Sequence, residues 1–326
     1  MVKVSLKCGP VRATLMFLIG VALTTADLLA QKTRNIDSLA IWRRETQEKF
    51  KINPEQPLQE RVKPASAETL KMFRDAGMAP TEHTLTTAER QQLQEVFAAL
   101  PPLHQQVLQN RLRSISFLDN MPNTALTATV NPDAKFPVFD LTVRAAIFKQ
   151  TASEWMTEKE RTCFKSTGSS LAITCDIGSL SAMLYVILHE ATHMVDVSLQ
   201  IGQSAGFSKN IWKDRTHLTA TYSHSLLDST RYRGGKPIPI SKAKAVYQAL
   251  SHTPLVSLYS TNSWNEDLAE YLSIYHFTQK LNQPFKITLR NKGKEVWVFE
   301  PLKSKLARQR FGEMKRFYQT PPTTAG

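Results

Sequence analysis

The chain has 326 residues, 42% apolar and 21% charged, with a formal net charge of +13. These values exclude a disordered chain, a collagen and a polytopic membrane protein, and the length holds one large domain or two small ones with ample core. Twelve glycines argue against a glycine-rich fibre or β-solenoid, and three cysteines are too few for a disulfide scaffold.

Residues 1–30 read as an export signal. Lys3, Lys7 and Arg12 make a basic start, and residues 13–25 are uncharged and mostly apolar. Thr24-Thr25-Ala26 and Leu28-Leu29-Ala30 are candidate cleavage sites. The apolar run falls short of the roughly 20 residues of a comfortable membrane span. It therefore predicts a cleaved signal and a periplasmic or secreted protein, with an uncut membrane anchor as the alternative. Removal takes away three positive charges and Asp27 and leaves +11. A basic exported protein is drawn to anionic envelope polymers or lipid head groups. No nucleic-acid-binding motif is found, so nucleic acid is not an expected partner. Cys8 lies in the signal. Cys163 and Cys175 remain, and in an oxidising compartment they are expected to form a disulfide.

Residues 31–80 are polar with little periodicity and predict a loosely packed lead-in. Thr86 and Glu89 have capping-box spacing ahead of Leu93, Val96, Phe97 and Leu100, which predicts a helix stopped by Pro101-Pro102. A second helix is predicted through Val107, Leu108, Leu112 and Ile115. β-branched and aromatic residues at 115–118, 126–130 and 138–147 predict short strands. Residues 151–178 read as loop-rich. A strongly apolar helix is predicted from about Ser179 to Val195. The stretch 200–250 is polar and basic, with a loop at 231–237. A helix from Ser263 to about Lys280, a hairpin around Asn291-Lys292-Gly293 and a basic helix over 302–317 complete the chain.

The apolar helix contains His189-Glu190-Ala191-Thr192-His193. Histidines at i and i+4 lie one turn apart, so both imidazoles reach one ion, and Zn²⁺ suits them. Glu190, beside the first ligand, can take a proton from a metal-bound water without binding the metal. With 8 His and 17 Glu in the chain, chance placement gives this pattern about 0.01 times. The surrounding residues 186–188, 191–192 and 194–195 are uncharged, as a helix burying two ligands requires.

A catalytic zinc site needs a third protein ligand and an open position. The metzincin pattern fails, because Asp196 stands where it has Gly and Leu199 where it has the third His. Downstream, Asn265-Glu266-Asp267-Leu268-Ala269-Glu270 places two carboxylates one helical turn apart. One can bind metal while the other accepts the free N–H of a ligand imidazole. The alternatives for Glu266 are a capping-box partner of Ser263 and an acid on a solvated face.

HEATH followed by this N-E-x-x-x-E segment resembles the gluzincin group of zinc metallopeptidases, the thermolysin-like class. The matching stretch covers about 20 residues, and the 73-residue separation of His193 and Glu266 is longer than thermolysin's. The resemblance implies His189, His193 and Glu266 as zinc ligands, Glu190 as general base and Glu270 as the orienting acid. Tyr259, seven residues before Glu266, is similar to a tyrosine at that offset in one other gluzincin and is the first choice for the oxyanion donor; Tyr222, His224 and His276 are its rivals. Asp196, one turn past His193, is a second orienting candidate or an ordinary helix-end acid. An edge at 126–130 or 138–143 could pair with an extended peptide substrate.

The expected fold is α+β, mainly helical, zincin-like, with a small sheet beside the HExxH helix. The expected organisation is a signal over 1–30, a lead-in with helices over 31–110 and a catalytic domain over 111–326. The expected activity is that of an exported zinc metallopeptidase, an endopeptidase before an exopeptidase, acting on a peptide or protein. The alternative is an envelope-polymer-binding protein with a structural or decayed zinc site, supported by Lys303, Lys305, Arg308, Arg310, Lys315 and Arg316.

Overall fold

The computed structural model describes residues 25–166, 168–204, 206–230 and 237–319, with side chains from residue 38 onward. Residues 1–24 of the expected signal, most of the 231–237 loop and the tail from 320 lie outside the described residues. No helix among the described residues is long and apolar enough to cross a membrane.

The lead-in is better anchored than its polarity predicts. It carries helix α1 (Thr25–Phe50) and helix α2 (Ala67–Asp75). Between them Arg61 is buried, and its guanidinium donates to the carbonyls of Asn53, Leu108, Gln109 and Leu112. Three of those carbonyls belong to the end of a later helix, where orphan acceptors need donors and favour positive charge. Burial lowers the Arg61 pKa to about 10, which leaves it charged at neutral pH.

After strand β1 (Thr81–Glu82), α3 (Thr87–Ala99) starts on the expected Thr86–Glu89 capping box. Helix α4 (Pro102–Arg111) follows, and strand β2 (Leu112–Asp119) begins directly behind it. Leu112, predicted as helical, is therefore a strand residue, and Ile115, where the predicted helix and the predicted strand 115–118 meet, belongs to the strand. Strands β3 (Ala125–Thr129) and β4 (Phe139–Arg144) complete a sheet of order β1-β2-β4-β3. β4 pairs parallel to β2 and antiparallel to β3, so it is internal and β3 is the edge.

The stretch read as loop-rich holds helix α5 (Ala152–Arg161), strand β5 (Phe164–Lys165) and strand β6 (Leu171–Asp176). Thr151 and Glu154 form a capping box at the start of α5. Helix α6 (Ala182–Leu199) is the apolar helix; after it come α7 (Ser225–Ser229), strand β7 (Ile238–Pro239), α8 (Ala243–Ser251) and α9 (Trp264–Tyr275). Strands β8 (Lys286–Asn291) and β9 (Lys294–Phe299) form the predicted hairpin and extend β6 into a three-stranded sheet. β5 pairs with β7.

The architecture is α+β with small sheets. One apolar cluster reaches from Leu58 to Phe317. Leu93, Val96 and Phe97 of α3 and Val107 and Leu108 of α4 share it with α6, so packing does not break at residue 110.

The basic C-terminal helix is broken into α10 (Lys305–Arg308) and α11 (Phe311–Met314). Arg310 between them turns inward and pairs with Asp267 through Nη1 at 2.6 Å and Nη2 at 3.0 Å. Lys303 pairs with Glu300 and Arg316 with Glu313. Three of the six cations proposed to bind polymer are thus engaged inside the chain.

The expected disulfide is not formed: Cys163 and Cys175 are both free, buried thiols. Cys163 is a turn residue just ahead of β5, and Cys175 lies inside β6. The Cys163 carbonyl accepts from Ile238 beside the β5–β7 pair, whereas Cys175 sits in β6 opposite Ile287. Burial pushes both thiols up, and the Glu160 carboxylate adds in the same direction. Both thiols should resist alkylation in the folded protein and both should label in denaturant without reductant, as read by mass spectrometry; labelling that requires a reductant would restore the disulfide.

Asp267 is fully buried and also accepts from Trp212 Nε1 at 3.0 Å. Asp267→Ala strands a buried guanidinium and should cost about 3–5 kcal/mol. Urea denaturation checks this, and a loss under 1 kcal/mol contradicts it.

Candidate metal centre

α6 is held at its start by Ser181, which accepts from the Met183 N–H and from Gln92 Nε2. Its face toward α4 carries Thr192, whose hydroxyl donates to the Leu188 carbonyl and accepts from buried His104. Those contacts fix the rotation of α6, and His189 and His193 emerge on the side facing α9. α9 starts at Ser263, whose Oγ accepts from the Glu266 N–H at 3.3 Å. The Glu266 carboxylate does not return to Ser263 to close a capping box. It points at the two histidines instead.

His189 Nε2 lies 3.1 Å from Glu266 Oε2 and 3.2 Å from His193 Nε2, and His193 Nε2 lies 3.4 Å from Glu266 Oε2. An ion held tetrahedrally at about 2.0–2.1 Å keeps its ligand atoms about 3.3–3.4 Å apart. The triangle nearly has that edge length. Two imidazole nitrogens, one carboxylate oxygen and partial exposure on the His193 and Glu266 side make a donor set that could hold one such ion with a position left open. Among the described residues this is the one such cluster.

Behind His189 stands Glu270, fully buried. Its Oε1 is 3.1 Å from His189 Nδ1 and 3.2 Å from Lys159 Nζ, and its Oε2 accepts from the Ser257 hydroxyl at 2.6 Å. Burial opposes its ionisation, but the Lys159 charge, His189 and Ser257 win and hold its pKa down to about 2. Glu266 is likewise held well below the usual carboxylate range: burial works against this, and hydrogen bonds from His189 and His193 outweigh it. His189 itself, opposed by burial but flanked by Glu266 and Glu270, is raised to about 9 in the metal-free protein.

Glu190 Oε2 accepts from Thr127 Oγ1 at 2.6 Å. Thr127 lies on edge strand β3, so this bond joins the sheet to α6 at the residue next to the cluster. Of the two expected substrate edges, 126–130 falls on the edge strand β3, half-buried, and 138–143 falls on the interior strand β4.

The Tyr259 ring stacks on His189, with centroids 5.6 Å apart at 29°. Its rivals lie elsewhere. His276 is bonded to the Ala99 carbonyl and the Tyr318 hydroxyl, and burial lowers it to about 4. His224 caps α7. Tyr222 packs on the apolar core. Asp196 touches neither histidine in the observed hydrogen bonds. Its Oδ2 accepts from Asn265 Nδ2 at 2.8 Å and its Oδ1 from the Gly202 N–H at 2.5 Å, so it ties the end of α6 to the residue before Glu266. A Cβ on Gly202 would stand 2.9 Å from that carboxylate, which is why the approach needs glycine.

Thr127, Lys159 and Ser257 were not anticipated. The capping box Thr151–Glu154 signals the helix that carries Lys159, but nothing local connects Lys159 to residue 270. Thr127 and Ser257 carry no recognisable signal. No known family matches the chain, and neither a search of curated proteins nor one of solved structures finds a match.

Proposed function

We propose that the chain is an exported zinc metalloendopeptidase of the zincin type with a gluzincin ligand set. The observation that carries this reading is the convergence of His189, His193 and Glu266 to tetrahedral spacing with Glu190 alongside. His189, His193 and Glu266 would hold the ion. When bound, zinc supplies a Lewis acid and a water acidic enough to be deprotonated near neutral pH.

The remaining work falls to the chain. Glu190, kept in place by Thr127, accepts the proton of the attacking water and passes it to the leaving amine. Tyr259 donates to the oxyanion. Glu270 fixes the tautomer and direction of His189, and Asp196 holds the start of α9 through Asn265. The edge of β3 offers backbone groups to an extended peptide. Export rests on the composition of residues 1–30.

The protein should bind about one Zn²⁺, and His189→Ala or His193→Ala should each remove most of it. Because metal-free His189 stays protonated up to about pH 9, loading zinc at pH 7 should release about one proton. Calorimetry in buffers of different ionisation enthalpy reads that proton. Glu190→Gln should keep zinc and lose activity by about 10²- to 10⁴-fold. Substantial remaining turnover would reject the hydrolytic role.

Glu266→Ala should abolish activity and lower zinc affinity more than Glu270→Ala, for which a loss of about 10- to 100-fold is expected. If Glu266 served only the helix start, its removal would cost about 1 kcal/mol and leave zinc in place. Equal, mild effects on zinc affinity would move the third ligand elsewhere.

A further inference from the structure

The carboxylate of Glu190 is not fastened by its own helix. Its Oε2 accepts from Thr127 Oγ1 at 2.6 Å, across 63 positions of sequence. That length lies within the roughly 2.5–2.7 Å of a hydroxyl donating to a carboxylate oxygen, a strong class of hydrogen bond. Thr127 is the middle residue of β3, the strand that ends the sheet. We propose that Thr127 couples substrate binding to the alignment of the base, so that an extended peptide laid along β3 gains in rate of cleavage and not in affinity alone. Thr127 is then a positioning residue that acts through Glu190. The proposal rests on the peptidase reading and adds a requirement on the substrate: a length of extended chain beyond the residues at the cut bond.

Three observations carry it. The first is orientation. Side chains alternate along a strand, so Thr127 shares its face with Ala125. Ala125 lines a small pocket that His189 and Glu190 also line, which sets this face of β3 against the side of α6 that carries the cluster. The second is the free edge. β3 pairs with β4 from Ala125 to Thr129 and with no other strand among the described residues. One row of its backbone groups is taken, and the other is open to strand addition by a peptide. The third is the division of the carboxylate. Thr127 holds Oε2, and among the described residues no hydrogen bond occupies Oε1. Oε1 is the oxygen left to meet a water.

A peptide paired with β3 gives the strand its second neighbour. Thr127 then sits in backbone bonded on both sides, and the carboxylate it holds loses freedom with it. Binding energy from residues remote from the cut bond goes into orienting the base, and so appears in kcat. The scale is large enough to measure, because a displacement of about 1 Å at a catalytic group costs on the order of 10²-fold. A short peptide that fills only the positions at the cut bond leaves β3 with one neighbour and forgoes this gain.

The test uses zinc-loaded protein and two nested peptides around one cut site selected from a peptide library, both capped at their ends. One has about four residues and the other about eight, enough to lie along β3. In wild type the longer peptide should gain about 10- to 100-fold in kcat. Thr127→Val keeps the β-branched shape and removes the donor. It should hold zinc as wild type does and cut the two peptides with nearly equal kcat, while the longer one keeps its advantage in KM. Thr127→Ser returns the hydroxyl and should return the kcat gain. A wild-type gain confined to KM overturns the proposal, whether or not the variants fold. An equal loss of kcat on both peptides in Thr127→Val also overturns it, because a prop that serves the base alone does not respond to substrate length. Both of those results leave the peptidase reading standing. Zinc-loaded wild type that cuts no peptide removes the reading and the proposal together.

Discussion

Glu270 is a carboxylate with no access to water, and the structure around the His189–His193–Glu266 cluster is organised by the need to keep it charged. A lone buried carboxylate would neutralise itself by taking a proton. Here Lys159 from α5, His189 from α6 and Ser257 from the turn ahead of α9 surround it. Each arrives from a different element, so one buried charge sets the relative placement of three segments. His189 gains a fixed direction from this, and the triangle with His193 and Glu266 follows.

A second buried carboxylate works in the same helix. Asp267, next to Glu266, faces the opposite way into Arg310 and Trp212. α9 is thereby pinned from both sides, with Glu266 alone of its three acids left partly open. Such pairs add little net stability compared with apolar packing, but losing one partner is costly. Their value here is geometric: a carboxylate that meets two imidazoles at 3.1 and 3.4 Å cannot sit on a helix free to slide.

The cluster was legible in the sequence because its members follow local helical rules. HEATH and N-E-D-L-A-E each place their acting residues four apart, and that spacing survives any tertiary arrangement. The capping box at Thr86 was legible for the same reason. What the sequence hid is long-range. The Lys159–Glu270 contact spans 111 positions, and the Thr127–Glu190 bond spans 63. The disulfide expectation failed on the same ground, since a short separation along the chain does not say whether a turn residue ahead of β5 and a residue inside β6 bring their thiols together. Polarity misled at the N-terminal lead-in, where Arg61 is buried by carbonyl groups rather than by apolar neighbours.

Arg61 also bears on how the chain can be shortened. The residues that surround the cluster all lie beyond position 120, which invites trimming everything before β2. A chain cut after residue 61 would lose the donor to Leu108, Gln109 and Leu112 and leave the last turn of α4 with bare acceptors. α4 is also the helix whose His104 abuts α6 at Thr192. Protease nicking in the segment 51–66 would therefore be felt at the histidines, more than 120 positions further along the chain.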